Sequence, residues 1–213
     1  MLTVPPGRSI EAGFARPVHD AQKTFRVVLD AFANPGLIHS IPFDIPEILT
    51  NSHPIATVAI LLCLADVDTP LWFESSEPPH LHTYLRFHTG ARVTSDPHIA
   101  TFAVLSEVGS ITFGSNELRA FNAGTALSPE RSTTMIVGVP SMSGGAGAWL
   151  EGPGCDRPRL LAPAGFTAET WEQLADNHDS FPAGVDLLVT SGSYVVGIPR
   201  STSITLDATT GGV

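Results

Sequence analysis

The heptapeptide "YLRFHTG" (84–90) places Arg86, His88 and Thr89 within four positions, just ahead of Gly90. A guanidinium can hold an oxyanion through two parallel N–H bonds. An imidazole beside it can move a proton near neutral pH. The same residues can do structural work: Arg86 can pair with a nearby acid and His88 can cap a helix that stops at Gly90. A lone Arg–His pair does not define a catalytic centre. A second candidate anion contact is Arg200-Ser201-Thr202, immediately after Pro199. It follows a predicted strand, and strand ends are where α/β folds place ligands. Glu130-Arg131 reads as an ion pair at a loop end, and Asp186 as structural.

Other chemistries fail on residue type or spacing. The chain has ten arginines but one lysine, Lys23. No glycines precede Lys23 at P-loop spacing, so a Walker A site is excluded. Asp20, Lys23, Arg26 and Asp30 fall on one predicted helix face, which reads as solvated. That is no setting for a Schiff-base lysine, which needs a desolvating pocket. "GGAGAW" (144–149) lacks the third glycine of a dinucleotide loop and precedes a strand, so a hairpin loop is the better reading. His80 and His82 form an H-x-H that His88 could complete as a metal site, but no carboxylate stands at ligand spacing. No metal and no cofactor are therefore expected.

Composition narrows the class. Charged residues make up 15% of the chain against a norm of about 25%. So few charges on a water-soluble chain suggest surface hidden against partner chains. The net charge of −10 argues against a nucleic-acid footprint, which needs clustered Lys and Arg. Any anionic ligand must be held by local arginines against the overall field. The longest apolar stretch, residues 55–65, is shorter than the roughly 18 residues a membrane span needs. No basic segment followed by an apolar one marks a signal peptide, so the expected location is cytoplasmic. Cys63 and Cys155 are read as reduced, Cys63 as a small core hydrophobe.

The elements follow from periodicity. Residues 17–33 predict a helix with Ala21, Phe25, Val28, Leu29 and Phe32 on one apolar stripe, stopped by Asn34-Pro35-Gly36. A short extended segment follows. Asn51-Ser52 is the expected cap of a second helix, with Pro54 in its first turn and Ile55, Val58, Ala59, Leu62 and Cys63 as its buried face. A strand is expected at 71–73, a third helix at 79–88, and strands at 100–105, 132–142 and from 148, the last two joined by "SMSGGAG". Thr167 and Thr170 open a helix over "FTAETWEQLADNHDSF". "VDLLVT" and "SYVVGI" flank a tight turn at Ser191-Gly192 and predict a hairpin. One further strand is possible in the tail. Loosely alternating helices and strands predict an α/β fold: a three-layer α/β/α domain on a mixed sheet. It would span 14–206, after an arm over 1–13 and before a tail over 207–213.

Taken in order, "PVHDAQKTFRVVLDAFANPG", "ATVAILLCLADVDTPLWF", "LRFHTGA", "ATFAVL", "GTALSPERSTTMIVGV", "LEGPG" and "FPAGVDLLVTSGSYVVGIPRST" resemble PhnH, the H subunit of the bacterial carbon–phosphorus lyase core complex. The resemblance spans nearly the whole chain. It implies a fold like the large domain of pyridoxal-phosphate aminotransferases, shorter and without the cofactor. It implies a homodimer that associates with the G, I and J subunits in phosphonate catabolism. The first step there displaces adenine from ATP with a phosphonate, giving a ribose 1-phosphonate 5-triphosphate. A later radical step belongs to the J subunit and its iron–sulfur cluster. Two motifs depart from the family pattern: the usual Pro-Arg-Thr-Thr stands as Pro199-Arg200-Ser201-Thr202, and Leu-Thr-Gly-Pro-Gly carries Glu151 at its second position. A carboxylate there would repel phosphate.

Three functions follow as expectations. The first is a subunit of that transferase/lyase assembly, structural or co-catalytic and inactive alone. The second is a stand-alone phosphonate- or nucleotide-binding protein using Arg86 and Arg200. The third, a pyridoxal-phosphate enzyme, would need Lys23.

Overall fold

Parallel strands buried on both faces are the centre of the structure. The computed structural model of the chain describes residues 11–42, 53–74, 79–105 and 117–207. The expected Asn51-Ser52 cap and most of the arm and tail lie outside them. In chain order the elements are α1 (Pro17–Ala33), β1 (His39–Ser40), α2 (Ile55–Leu64), β2 (Leu71–Phe73), α3 (Pro79–Thr89), β3 (Val93–Thr94), β4 (Phe102–Leu105), α4 (Glu117–Ala120), β5 (Thr134–Gly138), β6 (Ala148–Glu151), β7 (Arg159–Leu161), α5 (Ala168–Asp179), β8 (Asp186–Ser191), β9 (Tyr194–Ile198) and β10 (Ser203–Leu206).

Seven strands form a mixed sheet in the order β1-β9-β8-β5-β4-β2-β3. The five from β8 to β3 run parallel to their neighbours, while β9 returns antiparallel to β8 and β1 pairs antiparallel with β9. Alternation along the strands divides the core in two. Val104, Ile136 and Leu188 face one side, with α1, α2 and α3. Ala103, Met135, Val137, Leu187 and Val189 face the other, with Trp171 and Leu174 of α5. Continuous apolar runs such as "TMIVG" and "DLLVT" are what a strand covered on both faces requires.

The second outer layer differs from the three-layer expectation. It combines α5 with a three-stranded antiparallel sheet, β10-β6-β7. The segment with "GGAG" is therefore no hairpin: β5 lies in the large sheet and β6 in the small one, and the loop crosses between them. Gly145 is where the crossing is tightest. A methyl group there would stand 1.9 Å from the Pro163 carbonyl oxygen, so only glycine fits.

The face that α1 buries also differs from its expected stripe. Asp20, Thr24, Val28 and Ala31 turn inward, while Phe25 and Leu29 are 47% and 50% exposed. Asp20, assigned to the solvated face, is buried; it accepts from the Arg16 backbone N–H at 2.9 Å and pairs with its guanidinium at 3.1 Å. The reason is close approach. A methyl group on Gly197 of β9 would lie 2.5 Å from the Ala31 carbonyl oxygen, so small residues take the inner face. In α2 the residues from Ala56 to Leu61 are all buried, rather than one face, because α1 and α3 pack beside it and the sheet lies beneath. Pro54 stands one residue earlier than expected, at its N-cap.

The other expected elements form. α5 begins with the reciprocal Thr167–Thr170 capping box. The β8–β9 hairpin turns at Gly192 (φ +53°) and Ser193, one residue later than read from the sequence, because Ser191 still pairs with Tyr194.

Candidate functional site

The two arginine clusters singled out by the sequence lie on different parts of the fold. Arg86, His88 and Thr89 occupy the last turn of α3, on the α1–α3 side of the sheet. Arg200, Ser201 and Thr202 form the turn between β9 and β10, closed by a Thr202 N–H bond to the Pro199 carbonyl at 2.8 Å. Among the described residues no hydrogen bond joins the two groups.

Arg200 is the centre of the more elaborate arrangement. Its backbone N–H and Nε both donate to Asp186 Oδ1, at 2.9 and 3.0 Å, and Nη2 donates to Asp186 Oδ2. Nη2 also bonds the Ser132 hydroxyl, and Nη1 the carbonyls of Pro129 (2.9 Å) and Pro182 (3.5 Å). A guanidinium has five N–H donors in a fixed fork, and here each has an acceptor. His178 Nδ1 at the end of α5 donates to the Arg200 carbonyl at 3.0 Å. The arrangement is a charge-matched clamp that ties the hairpin to the loop before β5 and the loop before β8. To grip an anion, Arg200 would have to release one of these acceptors. Thr202 Oγ1 is buried with no hydrogen-bond partner among the described residues, and Ser201 presents its carbonyl 3.1 Å from where a methyl group on Gly152 would sit. The "LEGPG" and "PRST" motifs thus meet through backbone. Glu151 is exposed on β6.

The end of α3 does different work. Tyr84 Oη donates to the Ala12 carbonyl at 3.1 Å and His88 Nε2 to that of Glu11 at 2.9 Å. Gly13 packs on the His88 ring, 3.2 Å from Nδ1 to an ideal Cβ. These contacts hold an N-terminal strap across the helix end. Burial, and secondarily the Glu11 carboxylate, push the Tyr84 phenol up to about 12. Thr89, not His88, finishes the helix: its hydroxyl donates to the Leu85 carbonyl at 2.7 Å and accepts from the Ala91 N–H at 3.1 Å, with Gly90 at φ +76°. Arg86 points outward, with no hydrogen-bond or ion-pair partner among the described residues.

The remaining candidates are scattered. Lys23 lies exposed on α1. Among the described residues no three His, Cys, Asp or Glu side chains gather as a metal site, and no helix is long and apolar enough to cross a membrane. Cys63 and Cys155 are free. Burial pushes both thiols up, which disfavours the reactive thiolate. Sequence reasoning missed the acceptors around Arg200 and the strap partners of Tyr84 and His88. One signal was available: in the hairpin Leu187 pairs with Ile198, so Asp186 must end beside the Pro199-Arg200 turn.

The fold and site thus describe a mixed-sheet α/β protein whose best-built polar cluster is an internal clamp. Its sequence places it further. Residues 12–205 match the family described as bacterial phosphonate metabolism protein (PhnH), and the chain belongs to that family. It is 35% identical over 196 residues to the alpha-D-ribose 1-methylphosphonate 5-triphosphate synthase subunit PhnH of Rhizobium meliloti (strain 1021), covering 90% of this chain and 93% of the relative. It is 34% identical over 186 residues to HtxG of Stutzerimonas stutzeri, named as a candidate C-P lyase subunit protein, covering 87% of this chain and 86% of the relative.

Proposed function

We propose that this chain is a subunit of an assembly that makes a ribose 1-phosphonate 5-triphosphate from ATP and a phosphonate. In that reaction the N-glycosidic bond of ATP breaks, a phosphonate oxygen bonds to the ribose C1, and adenine leaves with a proton. The observation that carries the reading is the full-length family match, with 35% identity over 90% of the chain to a named synthase subunit. The chain contributes surface and shape, in the cytoplasm, as one part of a complex with the G, I and J subunits. Its sheet is read as the large-domain scaffold of a pyridoxal-phosphate transferase without the cofactor, consistent with the exposed position of Lys23.

The subunit also pairs with a second copy of itself. Supporting this are Phe25 and Leu29, exposed on α1 with Val18, and the exposed Leu37 and Ile38 leading into edge strand β1. Co-expression with the G, I and J subunits is the test. One co-eluting complex is expected, and a chain that never elutes with them overturns the reading.

A second reading, a stand-alone anion binder, is favoured by one observation: the exposed Arg86 has no hydrogen-bond or ion-pair partner among the described residues. Calorimetry of the isolated chain with ATP and with methylphosphonate separates the two. Heat that Arg86→Ala abolishes supports the binder, and no heat supports the subunit.

A further inference from the structure

Two apolar side chains stand out from one end of the molecule. Leu127 is 96% exposed and Phe181 58%. Single exposed leucines are ordinary, but these two sit on loops that are fixed without them. The Leu127 loop is closed by reciprocal backbone bonds between Thr125 and Ser128 (3.3 and 3.1 Å) and by a bond from the Ser128 N–H to the Thr125 hydroxyl at 3.0 Å. The Phe181 loop is held by bonds from the Phe181 N–H to the His178 carbonyl (2.9 Å) and from the Gly184 N–H to the Ala123 carbonyl (2.7 Å). Arg200 Nη1 reaches Pro129 on the first loop and Pro182 on the second. One guanidinium therefore sets the relation between the two tips.

We infer that Leu127 and Phe181 are paired anchors for another protein subunit, one presenting an apolar groove rimmed by lysine or arginine. The inference rests on the assembly reading above. Rigid apolar residues presented to a groove are what interface anchors need, because little further ordering is required on docking. Charge selects the occupant. Glu130 flanks the first tip, and Asp176 and Asp179 flank the second, all exposed; among the described residues of these two loops Arg131 is the one exposed cation, so the carboxylates are in excess. Asp186 neutralises Arg200. Two copies of this end would meet with like charges opposed, which disfavours self-pairing there and favours a basic partner.

The experiment uses the full chain co-expressed with the G, I and J subunits. The Leu127→Ser/Phe181→Ser variant should keep its melting temperature and self-association, while its affinity for the other subunits falls about 30-fold or more. Glu130→Gln/Asp179→Asn should give a smaller loss and a flatter dependence of association on salt. If the apolar pair of substitutions lowers the melting temperature, Leu127→Ala alone replaces it, with a loss of about tenfold expected. A wild-type complex that the apolar variant joins equally well overturns the inference and leaves the assembly reading standing. A wild-type chain that joins no complex overturns both. Loss of self-association in place of complex formation makes the occupant a second copy, which overturns the inference as well.

Discussion

Arg86 and Arg200 are the same residue type in opposite circumstances. Arg200 follows a strand end, where an α/β fold commonly offers a ligand its donors, yet its N–H groups all point into the protein. Arg86 sits on a helix end and keeps its guanidinium in solvent. A motif position therefore says where a charge stands along the chain, not whether it is free. What decides that is how many acceptors the fold has already brought within reach. Around Arg200 two loops and the first residue of β8 supply them; around Arg86 the neighbouring side chains Tyr84 and His88 bind the strap instead, on their own account.

The sharpest way to break this contrast is to remove Arg200. Arg200→Ala leaves Asp186 with its side chain only 22% exposed and three carbonyl or hydroxyl acceptors without their donor. Breaking a largely buried charge pair from one side costs about 3 kcal/mol, read as a lowered urea midpoint with unchanged slope. Arg200→Lys should recover only part of this, because an ammonium cannot reproduce the fork. If Arg200→Ala unfolds with wild-type stability, the clamp is not structural and the residue returns as a ligand contact.

Much of the architecture was readable from residue order. Apolar runs in β5 and β8, the capping box of α5 and the glycine turn after β8 are local signals, and local signals place elements well. What escaped were facts set by distance in space. The inner face of α1 could not be read from hydrophobicity, since Gly197, more than 160 positions from Ala31, is what admits the helix backbone. The loop around Gly145 reads as a hairpin because the strands flanking it are sequence neighbours, whereas β5 pairs with β4 and β8, and β6 with β7 and β10. The candidate motifs are local runs of sequence, but the acceptors of Arg200 lie at 129, 132, 182 and 186, and no short window contains them.

Thr202 tests the same clamp more gently. Its hydroxyl is buried without a partner among the described residues, so Thr202→Val keeps the shape and removes an unmet polar group. The expected change is a gain of about 1 kcal/mol, seen as a higher melting temperature. A loss of that size would mean the hydroxyl has a role in the turn.

At the other arginine, the strap should respond to pH through Tyr84. A phenol ordinarily titrates near about 10, and in the folded chain it lies at about 12. The native state thus holds the proton longer than the unfolded one. The phenol's contribution is intact below pH ~10 and is lost as pH rises through about 12. Tyr84→Phe should cost about 1 kcal/mol at neutral pH, for the lost bond to Ala12. It should also lessen the decline in stability above pH ~10, measured by thermal melts across that range.

Arg86→Ala is expected to do least to the fold. With no acceptor among the described residues and a solvent-exposed position, its removal should shift stability by no more than about 0.5 kcal/mol. That small effect is what makes the substitution informative, because a change in ligand binding or complex formation then cannot be blamed on unfolding. If Arg86→Ala melts like wild type and still joins the complex with full affinity, the exposed charge is incidental. If it melts like wild type and the complex loses affinity for ATP or phosphonate, the arginine left free by the fold is the one that touches the ligand. If instead it destabilises as strongly as Arg200→Ala, freedom in solvent was the wrong way to tell the two arginines apart.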